Sequence, residues 1–465
     1  MVKDNLRDLF MSKVLYSNSL ITSFIFIFFI FIFVCVDFLD FVITLSDYGW
    51  SVLFVTFIFI VYLFRFINKV NWVSLYSLFY FTSLIFVGGR FFAIFLGLKD
   101  ISIFEIDFFT RRMLNDQEKT ILMCYVFSIF SALEVGLYSS NILIKNTYNE
   151  KLFNIEFNKK LLFFILMLII GLLALSLPEV IQNVIANGYL ALHQGQAEGY
   201  SNGLLTKSIN LLYATLGIFV VQKSNILKKT HLFIFFIFTC IYLMLGSRGT
   251  FVCNTLFFLW LYYDFGRKKV EFGKLFLYLL LIGLFLSTVF AYFSLREVDK
   301  SSLSMYDSVL MLLYDQGITL MVFNESLNVN NYPILPMIQN FIPGTVFIAS
   351  LLGAVSPENI SYPNYLAYNL DPVLFAKGYG LGWSVFSDLY VLSAGFLPLF
   401  GIIVFIFSFF INYTEKMLNR NLYWKAIVIS TLPALLFLPR AGLYSYFPLY
   451  FYVFIILIIV KLKFK

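Results

Sequence analysis

Apolar residues fall along the chain in long runs that few charges interrupt, separated by short basic segments or by longer mixed ones. Several runs exceed 18 residues without a charge, enough helix to cross a hydrocarbon core of about 30 Å. In lipid each crossing segment must satisfy its own backbone hydrogen bonds, so runs of this length are helices. The short alternating segments of a membrane barrel are absent. The runs predict spans at 20–36, 51–67, 73–97, 120–144, 161–177, 208–222, 232–246, 250–264, 275–294, 389–411, 424–438 and 446–460. The expected fold is an all-α polytopic membrane protein of about 12 transmembrane helices, with residues 1–465 forming a single integral membrane domain. Lys3, Arg7 and Lys13 precede the first run, and no small-residue cleavage pattern follows it. It therefore reads as a retained helix and not as a signal peptide.

An even number of spans puts both termini on one side, and the distribution of basic residues selects the side. The termini and the loops on their side carry 22 of the 33 Lys and Arg residues, in clusters such as Lys145 to Lys160, Lys223 to Lys229 and Arg267 to Lys274. Both termini are thus expected in the cytoplasm. Three segments on the opposite, external side are too long for turns: 98–119, 179–207 and 295–388, the last a large external loop between helices 9 and 10. Within it, residues 305–327 set Val309, Leu313, Ile318, Met321 and Phe323 against Asp307, Asp315, Gln316 and Glu325. That pattern predicts an interfacial helix lying along the membrane surface. Six prolines from Pro333 to Pro372 break the rest of the loop into short pieces.

Composition supports this reading. Hydrophobic residues make up 60% of the chain and charged residues 13%, about half the charged share of a soluble domain. The net charge of +7 is spread between spans and is no nucleic-acid signature. The four cysteines, Cys35, Cys124, Cys240 and Cys253, lie in apolar runs without CxxC spacing and read as packing residues. Cytoplasmic connections leave no room for a nucleotide-binding domain, and no GxxxxGK[ST] phosphate loop occurs. No ATP chemistry and no cofactor are expected. HExxH, His/Cys clusters and external acidic pairs are also lacking, so no metal is expected.

Charges at membrane depth are costly and therefore become candidates for function. Arg90 follows Gly88-Gly89, Arg248 sits in Gly-Ser-Arg-Gly, Arg296 follows the ninth span, and Arg440 follows Pro439. Taken singly, each reads equally as a snorkelling side chain or a helix-end ion pair. Meeting in one external pocket, they would suit a diphosphate, because guanidinium grips phosphate bidentately. Asp388 is the first candidate for a general base, and it reads also as an acid favoured at a helix N-terminus. His193 and Glu198, in the loop 179–207, are the reserve candidates. His231, beside Lys228 and Lys229, reads as a solvated cytoplasmic residue, and Glu134 as a possible partner of another helix.

Several short strings resemble a known family, the Wzy-type O-antigen polymerases or oligosaccharide repeat-unit polymerases. They are Gly89-Arg90, Leu245-Gly-Ser-Arg-Gly249, Asp315-Gln-Gly317, and Gly378-Tyr-Gly-Leu-Gly-Trp-Ser384 continuing to Asp388-Leu-Tyr390 and Gly395. The family usually has Glu where this chain has Asp388. The resemblance implies a polymerase that joins undecaprenyl-diphosphate-linked repeat units into O-antigen or capsular polysaccharide, on the external face of the bacterial inner membrane. It implies Arg90, Arg248, Arg296 and Arg440 on the diphosphates, a carboxylate or His193 as base, and aromatics such as Tyr365, Tyr368, Tyr379 and Trp383 against sugars. Partners would be the lipid-linked glycans and membrane lipid, with a chain-length regulator and a flippase, and no nucleic acid. The alternatives are the flippase or another transporter, the related O-antigen ligase, and a non-catalytic scaffold. An internal repeat, common in transporters, is not found.

Overall fold

The computed structural model describes residues 42–99, 101–106, 108–143, 157–187, 203–222, 224–263, 305–353, 355–418 and 422–461, with a few single positions between them. Nearly all of it is helix. Among the described residues nine helical stretches are long and apolar enough to cross a membrane: Asp47–Ile67, Leu75–Phe95, Asp116–Ile142, Lys159–Ala186, Leu204–Val221, Asn225–Met244, Leu397–Met417, Leu422–Arg440 and Leu443–Lys461. Apart from single positions, the spans expected at 20–36 and 275–294 lie outside the described residues. The protein is an all-α, multi-pass membrane protein.

In chain order the helices are α1 (Asp47–Ile67), α2 (Leu75–Phe95), α3 (Asp116–Leu143), α4 (Lys159–Asn187), α5 (Gly203–Val221), α6 (Asn225–Met244) and α7 (Arg248–Tyr262). The short helices α8 (Met305–Gln316), α9 (Thr319–Leu327), α10 (Ile334–Phe341), α11 (Thr345–Leu351), α12 (Tyr362–Leu370), α13 (Pro372–Ala376) and α14 (Val385–Leu392) follow. Three long helices close the chain: α15 (Leu397–Met417), α16 (Leu422–Phe437) and α17 (Phe447–Lys461). A two-residue antiparallel ribbon, β1 (Glu105–Ile106) with β2 (Arg112–Met113), lies between α2 and α3.

Lipid tails are as apolar as the helices, so association needs close backbone approach and polar contacts rather than a hydrophobic drive. Both are present. A Cβ on Gly136 of α3 would stand 2.5 Å from the Ser408 hydroxyl of α15, and that hydroxyl donates to the Leu133 carbonyl at 2.6 Å. Asn412 of α15 reaches Ser140 and Asn141 of α3. Between α5 and α16, Gly217 faces the Ala426 backbone so closely that a Cβ would overlap its carbonyl oxygen. There Ser430 donates to the Ala214 carbonyl at 2.9 Å and accepts from the Gly217 N–H at 2.8 Å.

Two buried polar groups depart from expectation. Arg65, counted with the cytoplasmic basic residues, is fully buried in the last turn of α1. It forms an ion pair with Glu134 of α3 and lies 3.9 Å from the Tyr80 ring centroid. Glu134 is thus an interhelical partner. His231 is also fully buried, stacked on Phe219 at 4.4 Å and 2.9 Å from the Thr215 hydroxyl. On the same helix Lys229 is exposed and Lys228 half-buried, a difference from His231 that a linear reading does not separate.

The external segments differ most from the expected pattern. The single helix predicted over 305–327 is two, α8 and α9, and the break falls at Gly317. Every residue from Thr319 to Ser326 is buried in the protein, so α9 is not a surface helix. The span expected at 389–411 is likewise divided. Ala394 and Gly395 take left-handed backbone (φ 50° and 76°), ending α14 and letting α15 begin at Leu397. The helix expected at 250–264 is present as α7, shifted by two residues and 15 residues long, about 22 Å at about 1.5 Å per residue.

The α5–α16 contact makes a direct prediction. Gly217→Val must force the two helices apart, and overpacking of this kind costs roughly 1–3 kcal/mol or more. Gly171 of α4 has nothing within 4 Å of a Cβ. Thermal melting of the purified protein should drop by several degrees for Gly217→Val and stay put for Gly171→Val.

Candidate functional site

The polar centre is built around one turn, Tyr314-Asp315-Gln316-Gly317, at the C-terminal end of α8. Gly317 ends the helix, its N–H bonding the carbonyls of Leu313 and Tyr314 at 3.1 and 3.0 Å. Glycine is required here by space. A Cβ on Gly317 would lie 2.5 Å from the Arg90 backbone nitrogen, and one on Gly89 would overlap the Leu313 carbonyl oxygen. Two glycines, one in α2 and one after α8, thus let a turn from the 295–388 region press directly on the backbone of a membrane span.

Three arginines from three different helical segments meet this turn. Arg90, fully buried, projects from α2 and lies 4.3 Å from the Tyr314 ring centroid. Its Nη1 donates to the carbonyls of Ile103, at 3.1 Å, and Glu105. Arg248 is the first residue of α7, placed by a turn in which Gly246 has φ 92°. Its Nη1 lies 3.3 Å from Asp315 Oδ2, and the side chain is 5% exposed. Arg440 ends the 3₁₀ turn Leu438–Arg440 that continues α16, and its Nη1 donates to Gln316 Oε1 at 2.8 Å. Phe86 of α2 lies between them: it is 5.8 Å from the Arg440 guanidinium and would contact a Cβ on Gly249.

The electrostatics suit this arrangement. The C-terminal end of a helix carries partial negative charge and favours cations. Asp315, in the last turn of α8, would be disfavoured there on its own, and Arg248 offsets it. Arg90 serves the protein's own groups, holding the segment that leads into β1. Arg248 and Arg440 instead hold a carboxylate oxygen and an amide oxygen, both from one turn.

Asp388 stands beside this centre and supports it. It is fully buried in α14. Its Oδ1 accepts from Asn340 Nδ2 at 3.1 Å and Trp383 Nε1 at 3.0 Å, and its Oδ2 from the Leu443 N–H at 2.6 Å. Ser384, which caps α14, also donates to the Pro439 carbonyl at 3.0 Å. The start of α14 therefore clasps the chain on both sides of Arg440. This gives Trp383 and Ser384, at the end of the glycine-rich string, and Asp388 a common task, fixing the turn that presents Arg440. The glycine at 395 is required as well, since a Cβ there would meet the Tyr390 hydroxyl.

Arg296, His193 and Glu198 lie outside the described residues. Residues given no role from sequence are Tyr314, the carboxylate of Asp315 and the amide of Gln316, although the string Asp-Gln-Gly was visible. A second polar group was also missed. Arg112 pairs with Glu118 at 2.6 Å and with the buried Glu325 of α9 at 3.1 Å, and Asn324 donates to the same Glu325 oxygen at 3.1 Å. Read on one amphipathic helix, Glu325 looked solvent-facing; the break at Gly317 turns it inward.

Fold and centre together define a polytopic membrane protein that gathers guanidinium groups at one end of its helices. The model of the O-antigen polysaccharide polymerase Wzy family matches residues 20–464. The chain belongs to that family, whose members act on lipid-linked oligosaccharide repeat units in the membrane. No curated protein and no solved structure matches it.

Asp388 carries a pH dependence. Burial pushes its carboxyl up to about 7, against the three donors that pull it down. The folded group then holds its proton more tightly than the unfolded one, so stability declines as pH rises from the ordinary carboxylate range to about 7 and levels off above it. Melting temperatures across that window should fall less steeply with rising pH in Asp388→Asn than in the native protein. The same slope in both would assign it to other groups.

Proposed function

We propose that the chain joins repeat units carried on undecaprenyl diphosphate, at the external face of the inner membrane, with the Arg248–Arg440 centre receiving the departing lipid diphosphate. The observation that carries this reading is the meeting of Arg248 and Arg440, from two different helices, on Asp315 and Gln316 of one turn. The oxygens of those two side chains serve as stand-ins for diphosphate oxygens. In the reaction, a hydroxyl at the non-reducing end of one lipid-linked unit attacks the anomeric carbon of the donor glycan. The bond from that carbon to the diphosphate oxygen breaks, and undecaprenyl diphosphate leaves with the electron pair. Cations held in place before the reaction stabilise that charge without reorganising.

The hydroxyl proton goes to a carboxylate or histidine. Asp315, whose side chain is 26% exposed, fits that task better than Asp388, whose oxygens are all engaged; His193 and Glu198 are candidates for the same role. Asp388 and Arg90 act as positioning residues, one for the Arg440 turn and the other for the 103–105 segment. Placement on the external face rests on the basic loops of the opposite side. An apolar groove of about 560 Å³, lined by residues such as Val55, Phe59, Leu84, Phe92 and Leu256, supports a lipid-linked substrate. Two of the helices that line it, α2 and α7, also carry Arg90 and Arg248.

The test is reconstitution of purified protein with lipid-linked repeat units alone. A ladder of longer glycans should form without ATP. Arg248→Ala and Arg440→Ala should each slow it by about 10²–10³-fold, the usual loss for one transition-state charge donor, and Arg248→Lys should recover only part of the rate. A full ladder from both alanine variants would sink the assignment of the centre. Sugar crossing the bilayer with no ladder would favour the flippase.

A further inference from the structure

From Ser326 to Pro357 the chain carries no charged residue, although it lies in a region too broken by proline to read as a span. Its middle forms α10 and α11, of eight and seven residues, joined through Pro343 and Gly344. Gly344 has φ 90°, which turns the chain back. The Gln339 side chain accepts from the Val346 N–H at 3.0 Å and ties the two helices into a hairpin. At about 1.5 Å per residue each helix is roughly 10–12 Å long, far short of the roughly 30 Å needed to cross the bilayer.

One side of this hairpin faces the protein. Pro336 and Asn340 are buried, Asn340 bonds Asp388, and Phe341 meets Phe447 at the start of α17 with ring centroids 5.2 Å apart. The other side is bare and apolar. Ile334, Ile342, Phe347, Ile348, Leu351 and Leu352 are all exposed, Leu352 to 78%. Soluble surfaces rarely leave so contiguous a patch to water. The patch is continuous with the membrane belt, because α17 carries exposed Phe451 and Phe454 along a span by length and composition.

We propose that α10 and α11 form a hairpin seated in the headgroup and acyl boundary of the bilayer, at the membrane surface on the side of the arginine centre. Its occupant is lipid: apolar side chains enter the acyl region, and an uncharged backbone turn lies at the interface. Through Asn340 and Asp388 the hairpin sets the height of the Leu443 and Arg440 turn relative to the bilayer. The interfacial element of the 295–388 region is thus this hairpin, and not the stretch 305–327.

Spin labels on Phe347→Cys and Leu351→Cys test this in the full chain, with native cysteines replaced, reconstituted in phosphatidylcholine and phosphatidylglycerol vesicles. Collision with oxygen should exceed collision with a water-soluble nickel complex at both positions, as it does at a lipid-facing control, Phe454→Cys. Asn369→Cys, at an exposed position of α12, should show the reverse. Greater access to nickel at Phe347 and Leu351 would overturn the proposal. Dipolar broadening between labels would overturn it too, by making a second copy of the chain the occupant. A polymerase assay plays no part, so the result is independent of the proposed reaction.

Discussion

A side chain larger than hydrogen at Gly89 or Gly317 would push the α8 turn off α2, and the polar centre depends on that contact. Only with the two backbones touching does the C-terminal end of α8 reach the level of α2 at which Arg90 lies. Arg248 and Arg440 then approach the same turn from α7 and from the end of α16. Without the contact each guanidinium would be an isolated charge near apolar surroundings, a state that costs several kcal/mol in lipid. Close packing thus comes first, and electrostatic pairing follows from it.

The protein handles its buried charges in two ways. Arg65 and Glu134 form a closed pair between α1 and α3, roofed by the Tyr80 ring, with no part of either side chain more than 1% exposed. Breaking such a pair leaves one buried charge uncompensated, at about 3–5 kcal/mol. Arg248 and Asp315 differ: the arginine is 5% exposed and the aspartate 26%, at a longer 3.3 Å. A pair open on its acidic side can exchange one anion for another, which a closed pair cannot. That contrast separates a structural ion pair from one that can serve a substrate, and it is the reason for giving Asp315 and Arg248 working roles.

Hydrophobic runs made the membrane spans legible in the sequence, because burial in lipid imposes its demand locally. Arg90, Arg248 and Arg440 were legible for a related reason, as charges where charge is expensive. Their partners were not. Asp315 and Gln316 lie far along the chain from all three arginines, and a break at one glycine decides which way their helix turns. Asp388 was legible as an unusual acid, yet its partners Asn340 and Leu443 come from separate segments, so its burial was not. The α10–α11 hairpin escaped notice because Pro336 and Pro343 cut an apolar stretch into pieces too short to register as a span.

The central claim is that Asp315 and Gln316 hold the places of diphosphate oxygens. The most direct measurement is a cryo-electron microscopy structure of the protein in nanodiscs with undecaprenyl diphosphate. The account predicts diphosphate density between Arg248 and Arg440, with the Asp315 carboxylate and the Gln316 amide displaced from them. Diphosphate bound elsewhere, with both of those contacts intact, would contradict it.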